Sequence, residues 1–186
     1  DDLMPQDGVE RIIKALECYG TRHGMFRFPL AVIDENGKII HKKSFIAGIS
    51  GFGLSVFCWI NWKEEFIRLL VNMFFTRDIY ERIGGFVKFP LAWCSDDATW
   101  TSIGENAGGM IPLPGKPVCW RNVMGENISC SFNYDEEKIV ATRQFIKMGF
   151  QFFYSDRLQD RKLQHAIKKY AHTILHYSLQ DRYKIT

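Results

Sequence analysis

Asp96 and Asp97 are adjacent carboxylates that end a glycine-rich, aromatic run, Gly84-Gly85-Phe86-Val87-Lys88-Phe89-Pro90-Leu91-Ala92-Trp93-Cys94-Ser95. At the entry to a helix such a pair can supply a general base, because an ionised Asp beside an alcohol can take its proton. A second acidic pair, Asp1-Asp2, opens the sequence, and Trp120-Arg121-Asn122 with Ser129 follows downstream. Separated carboxylates suit a divalent cation and a guanidinium suits two phosphate oxygens, so the set fits chemistry on a diphosphate. Each residue also has a plain structural reading. Ser95 is a good N-cap, and acidic residues in a first turn complement the helix dipole by about 0.3–1 kcal/mol. Asp1-Asp2 reads equally as a solvated terminus, Arg121 as a surface ion pair, Gly84-Gly85 as a helix C-cap, and Trp93 and Trp100 as core.

Taken in order, these stretches resemble the inverting family 2 glycosyltransferases, nucleotide-sugar enzymes with a GT-A fold. Asp1-Asp2-Leu3-Met4-Pro5 looks like the tail of that family's DXD motif. Ile83-Gly84-Gly85-Phe86 through Ser95-Asp96-Asp97 looks like its GGF and ED motifs, and Trp120-Arg121 through Asn127-Ile128-Ser129 like its late basic segment. The resemblance spans residues 1–131 and implies an α/β fold. Residues 1–131 would be the later, acceptor-side half of a GT-A (Rossmann-like nucleotide-diphospho-sugar transferase) domain, and 132–186 a C-terminal helical appendage. It implies Asp97 as the general base with Asp96 in the preceding acidic position, Asp1 and Asp2 at a Mg²⁺ or Mn²⁺ ion, and Arg121 against the donor's diphosphate. The partners implied are a nucleotide-diphosphate sugar and a saccharide or lipid-linked acceptor. Gly85 could let substrate approach the backbone closely, and Trp93 and Trp100 could stack on a sugar face. A DXD pair begins two residues before the place Asp1 would take. The first carboxylate and the nucleotide-binding half are therefore expected upstream, with this chain the C-terminal part of an enzyme and inactive alone.

The elements that must position these residues follow from spacing. Val9, Ile12, Ile13 and Leu16 form a helical stripe from Asp7, a candidate cap, to Cys18. Leu30-Ala31-Val32-Ile33 and Lys38-Ile39-Ile40 flank Asp34-Glu35-Asn36-Gly37, which predicts an exposed hairpin. Helical spacing recurs over Trp62 to Val71 and over Asp78 to Ile83, where Gly84-Gly85 ends it; a further helix runs from Asp96-Asp97 towards Glu105. Met110 to Leu113 and Pro117 to Trp120 read as short extended segments, and Pro112, Pro114 and Pro117 keep them from the interior of a long sheet. Glu136 to Met148 and Asp156 to Tyr183 are helical, with a boundary near Ser131 to Asp135.

Composition narrows the classes. A chain of 186 residues, 46% hydrophobic and 24% charged, can bury a sizeable core and argues against disorder. A net charge of +3 gives no case for a nucleic-acid partner. The five cysteines, Cys18, Cys58, Cys94, Cys119 and Cys130, show neither metal spacing nor a disulfide framework, and so predict a reducing, cytoplasmic setting. Phe45 to Ile60 is short of a bilayer span and is interrupted by Gly48, Gly51 and Gly53. His172 and His176 are one turn apart, but without an HExxH pattern they read as a solvated face rather than a zinc site; no GxSxG elbow or P-loop is present. Arg157, Arg161, Lys162, Lys168, Lys169, Arg182 and Lys184 make the last helix basic, which would allow peripheral association with the inner face of a membrane. Too few carboxylates and histidines gather for a metal-dependent phosphohydrolase. The non-enzymatic alternative is a helical binding or oligomerisation module in which Ser95-Asp96-Asp97 only caps a helix.

Overall fold

The computed structural model describes residues 2–20, 24–43, 70–121 and 134–153. Asp1, Phe45 to Ile60, nearly all of the Trp62 to Val71 stretch, Asn122, Asn127 to Ser129, Cys58, Cys130 and the Asp156 to Tyr183 helix with its histidines lie outside the described residues.

Helix α1 spans Gly8–Tyr19. Asp7 holds the cap position without a side-chain capping bond; its backbone is near helical (φ −87°, ψ 6°), and its carboxylate lies 3.7 Å from Arg11 one turn on. The expected stripe is half right. Ile12 and Leu16 pack inward beside buried Ala15, whereas Val9 and Ile13 are 60% and 50% exposed. The reason is Arg11, whose guanidinium takes part of the inner face: it donates to the Leu113 and Lys116 carbonyls, both at 2.8 Å, and covers the Phe28 ring at 4.4 Å.

Strand β1 (Met25–Arg27) lies between antiparallel β4 (Met73–Phe75) and parallel β5 (Ile111–Pro112). Two residues further on, β2 (Leu30–Ile33) lies between antiparallel β3 (Ile39–Lys43) and parallel β6 (Val118–Arg121). The hairpin β2–β3 forms as its turn chemistry predicts. The Asp34 carboxylate accepts the Asn36 and Lys38 amides at 3.0 and 2.8 Å, and Gly37 takes the positive φ of 80°. The hairpin is exposed on one arm only: the turn from Glu35 to Lys38 and Ile39, Ile40 and His41 of β3 are exposed, whereas β2 is the middle strand and Leu30, Ala31, Val32 and Ile33 are all buried. The proline-bearing segments β5 and β6 are flanking strands of their three-stranded sheets, as proline's missing N–H requires, and β6 also bridges to Leu3 through Cys119.

Leu70–Asn72 is a 3₁₀ turn, not the end of an α-helix. Asn72 explains this: its backbone carbonyl and its side-chain amide both bond Phe28, at 3.0 Å each, which ties the segment to the strand edge. Helix α2 (Arg77–Arg82) ends at Gly84 and Gly85, both left-handed, whose amides return to the Glu81 and Tyr80 carbonyls. Helix α3 (Ser95–Asn106) and helix α4 (Asp135–Phe153) complete a mixed α/β arrangement.

Two apolar clusters lie on the two faces of β1, as strand alternation dictates. Met25 joins Ile79, Trp100, Ile103, Ala107 and Met110 beneath α2 and α3, while Phe26 joins Phe28, Ala15, Leu113 and Val118 beneath α1. Trp100 is therefore a core residue, 4% exposed, and not a sugar platform.

Candidate functional site

The segment from Gly84 to Asp97 carries Gly85, Trp93, Asp96 and Asp97 and leads into α3. Its backbone is unusual. Besides the two glycines, Leu91, Ala92 and Cys94 are left-handed, with φ of 55°, 55° and 59°. Outside glycine each such residue costs about 1–2 kcal/mol, so surrounding contacts must hold them there. Turn bonds run from the Ala92 amide to Phe89 O and from the Trp93 amide to Pro90 O, both 3.0 Å.

Ser95 was expected to cap α3 and does not. The cap position is Cys94, whose carbonyl accepts the Ala98 amide at 3.0 Å, and Ser95 is the first helical residue. The Ser95 hydroxyl instead accepts the Phe89 amide at 3.1 Å. One turn on, the Thr99 hydroxyl accepts the Val87 amide at 3.0 Å and donates to the Ser95 carbonyl at 2.6 Å. Two hydroxyls on α3 thus fasten the loop that leads into it. Thr101 likewise donates to the Asp97 carbonyl at 2.8 Å. Hydroxyls returned to the helix's own carbonyls are what allow so polar a helix to be buried on Ser95, Asp97, Thr99 and Thr101 as well as on Trp100 and Ile103.

At the start of α3 Asp96 is partly exposed, and its Oδ1 accepts the Asp97 amide at 2.9 Å. Asp97 is 9% exposed. Both stand in the first turn of α3, where the exposed amides and helix dipole favour negative charge. Gly85 sits over Tyr80; a Cβ built there would meet that ring at 3.4–4.0 Å. Tyr80, Phe86, Phe75 and Trp100 form an aromatic cluster beside the loop, with Phe86 exposed at its edge. Trp93 donates its indole N–H to the Thr142 hydroxyl at 3.2 Å, and the Lys138 ammonium lies 4.9 Å from its ring centroid.

Asp2 and Arg121 meet elsewhere, at the end of β6. The Arg121 amide donates to Asp2 Oδ1 at 3.0 Å. Register with β2 pairs Arg121 with Ile33, so its guanidinium reaches the β2–β3 turn and donates to the carbonyls of Asp34, at 3.4 Å, and Glu35. Among the described residues, no group of three or more His, Cys, Asp or Glu side chains is arranged to hold a metal. The exposed Asp2 carboxylate is a hard oxygen donor of the type Mg²⁺ and Mn²⁺ take.

Reasoning from the sequence missed Thr99, Lys138 and Thr142. Lys138 and Thr142 follow an acidic first turn on α4 and read as its polar side; only the i, i+4 spacing of one cation and one hydroxyl hinted at a shared partner. Among the described residues Cys18, Cys94 and Cys119 form no disulfide, and no helix is long and apolar enough to cross a membrane. No family model matches the chain, and searches of curated proteins and solved structures found no similar protein.

Proposed function

We propose that the chain is the acceptor-side part of a GT-A glycosyltransferase that moves a sugar, with inversion, from a nucleotide-diphosphate donor to a saccharide or lipid-linked acceptor. One observation carries the reading: a glycine turn and a strained loop, tied down by Ser95 and Thr99, lead to two consecutive carboxylates in the first turn of α3, Asp96 partly exposed and Asp97 buried. Asp97 takes the acceptor's proton as the sugar is transferred, and Asp96, bonded to the Asp97 amide, fixes that turn. In this reading Arg121, now bonded to the Asp34 and Glu35 carbonyls, would meet the donor's diphosphate, and Asp1 and Asp2 would hold the Mg²⁺ or Mn²⁺. The cation supplies charge neutralisation for the departing diphosphate.

The test is turnover of UDP- and GDP-sugars by the protein with its nucleotide-binding half present. Asp97→Asn keeps the shape of the side chain but cannot accept the proton. It is expected to leave donor binding intact and lower turnover about 10²–10⁴-fold, the usual share of a general base. Near-parental turnover would move the base to Asp96.

A second reading, a non-catalytic binding or oligomerisation module, is favoured by one contact. The Asp96 carboxylate on the Asp97 amide is what a helix start would show with no substrate to serve. Absence of any heat on titration with the same nucleotide sugars and Mn²⁺ would support it over the enzyme.

A further inference from the structure

Trp93 stands between two left-handed residues, Ala92 and Cys94, and its side chain is held by α4 from two directions. Thr142, fully buried, accepts the indole N–H at 3.2 Å. Lys138, one turn earlier and 8% exposed, sets its ammonium 4.9 Å from the ring centroid, within reach of a cation–π attraction that grows stronger as the pair is withdrawn from water. Neither residue belongs to α3 or to the loop. Yet the left-handed turn they grip ends at Cys94, whose carbonyl starts α3 and so sets where Asp96 and Asp97 stand. A backbone held away from its preferred conformation keeps its shape only while its neighbours over-determine it.

We infer that Lys138 and Thr142 are positioning residues: through Trp93 they hold the turn at residues 91–94 and thereby the Asp96-Asp97 corner. The catalytic consequence rests on the glycosyltransferase reading, whereas the positional claim rests on the contacts alone. One face of the Trp93 ring carries the ammonium, and through that face the grip of α4 reaches the turn.

The test compares Lys138→Met, Lys138→Arg and Thr142→Val with the parent by amide hydrogen exchange and by turnover of UDP- and GDP-sugars. Methionine keeps much of the aliphatic stem without the charge, arginine keeps the cation, and valine keeps the volume of threonine without the acceptor. The expected result is exchange about tenfold faster over residues 89–97 in Lys138→Met and Thr142→Val, with β1 and β2 unchanged and Lys138→Arg restored to parental rates. In the active protein the same two variants lose roughly 10–10²-fold in kcat at unchanged donor KM, as misplaced groups do. Parental exchange in both variants overturns the inference. So does equal acceleration in Lys138→Met and Lys138→Arg, which would reduce the contact to packing. Faster exchange confined to 89–97, in a protein that turns over no nucleotide sugar, would uphold the grip while removing the glycosyltransferase reading.

Discussion

The hydroxyl of Thr99 works in two directions, as acceptor for the Val87 amide and donor to the Ser95 carbonyl. Thr99→Val preserves shape and leaves the part-buried Val87 amide without its acceptor, a loss of about 0.5–1.5 kcal/mol. Urea denaturation should report it, and parental stability would mean that water reaches that amide. Arg27 poses a different problem. It is 4% exposed on the α3 side of β1, and desolvation lowers its pKa from the usual guanidinium range to about 10. The folded chain then holds this proton less tightly than the unfolded one, so the contribution to stability rises as pH climbs above about 10. Arg27→Lys brings the window lower, because a lysine starts near 10.4 and is lowered by the same burial. The stability of Arg27→Lys relative to the parent should therefore rise from near pH 7 to near pH 10; a flat difference would show that the new ammonium escapes to water.

Elements were legible where local signals and tertiary packing agreed. The β2–β3 turn is dictated by Asp34 and Gly37, the end of α2 by Gly84 and Gly85, and both survive in the structure because nothing competes with them. Strand β1 was not legible: Met25-Phe26-Arg27 is three buried residues including a guanidinium, a pattern that alternation does not favour. Nor was the entry to α3. Ser95 offers a good capping side chain, but the loop bends through Leu91, Ala92 and Cys94, and that bend moves the cap to Cys94 and turns the serine back onto Phe89. Of the candidate site, the carboxylates were readable from their order in sequence, while the parts that hold them come from threonines and a lysine whose types carry no signal. The strained bend is itself testable. Ala92 is exposed and left-handed, so Ala92→Gly relieves about 1–2 kcal/mol of strain against about 0.5–1 kcal/mol of added unfolded-state entropy. Thermal melting should show a small net stabilisation, and a lower melting temperature would mean that the methyl group packs.

Across the whole molecule the chain crosses its own path twice in the same sense. Residues 25–33 run beside 111–121 as two parallel ladders, Phe26 with Ile111 and Leu30 with Val118, and two amide bonds, Leu113 to Arg27 O and Val118 to Pro29 O, carry the pairing between them. Arg11 reaches across to carbonyls 102 and 105 residues away and closes the same region from the other side. That arrangement governs the speed at which the molecule assembles. The β2–β3 hairpin closes over a handful of residues, whereas both parallel ladders must wait for distant chain to return, and loop-closure entropy makes such pairings late. A substitution in the turn, Gly37→Ala, should act chiefly on the refolding rate, and one in the ladder, Val118→Ala, chiefly on the unfolding rate. Stopped-flow rates against denaturant separate the two, and a refolding rate governed by Val118 would place the ladder first. A nascent chain would then leave the ribosome with its hairpin made and the inner edge of β2 still open, dependent on residues not yet translated.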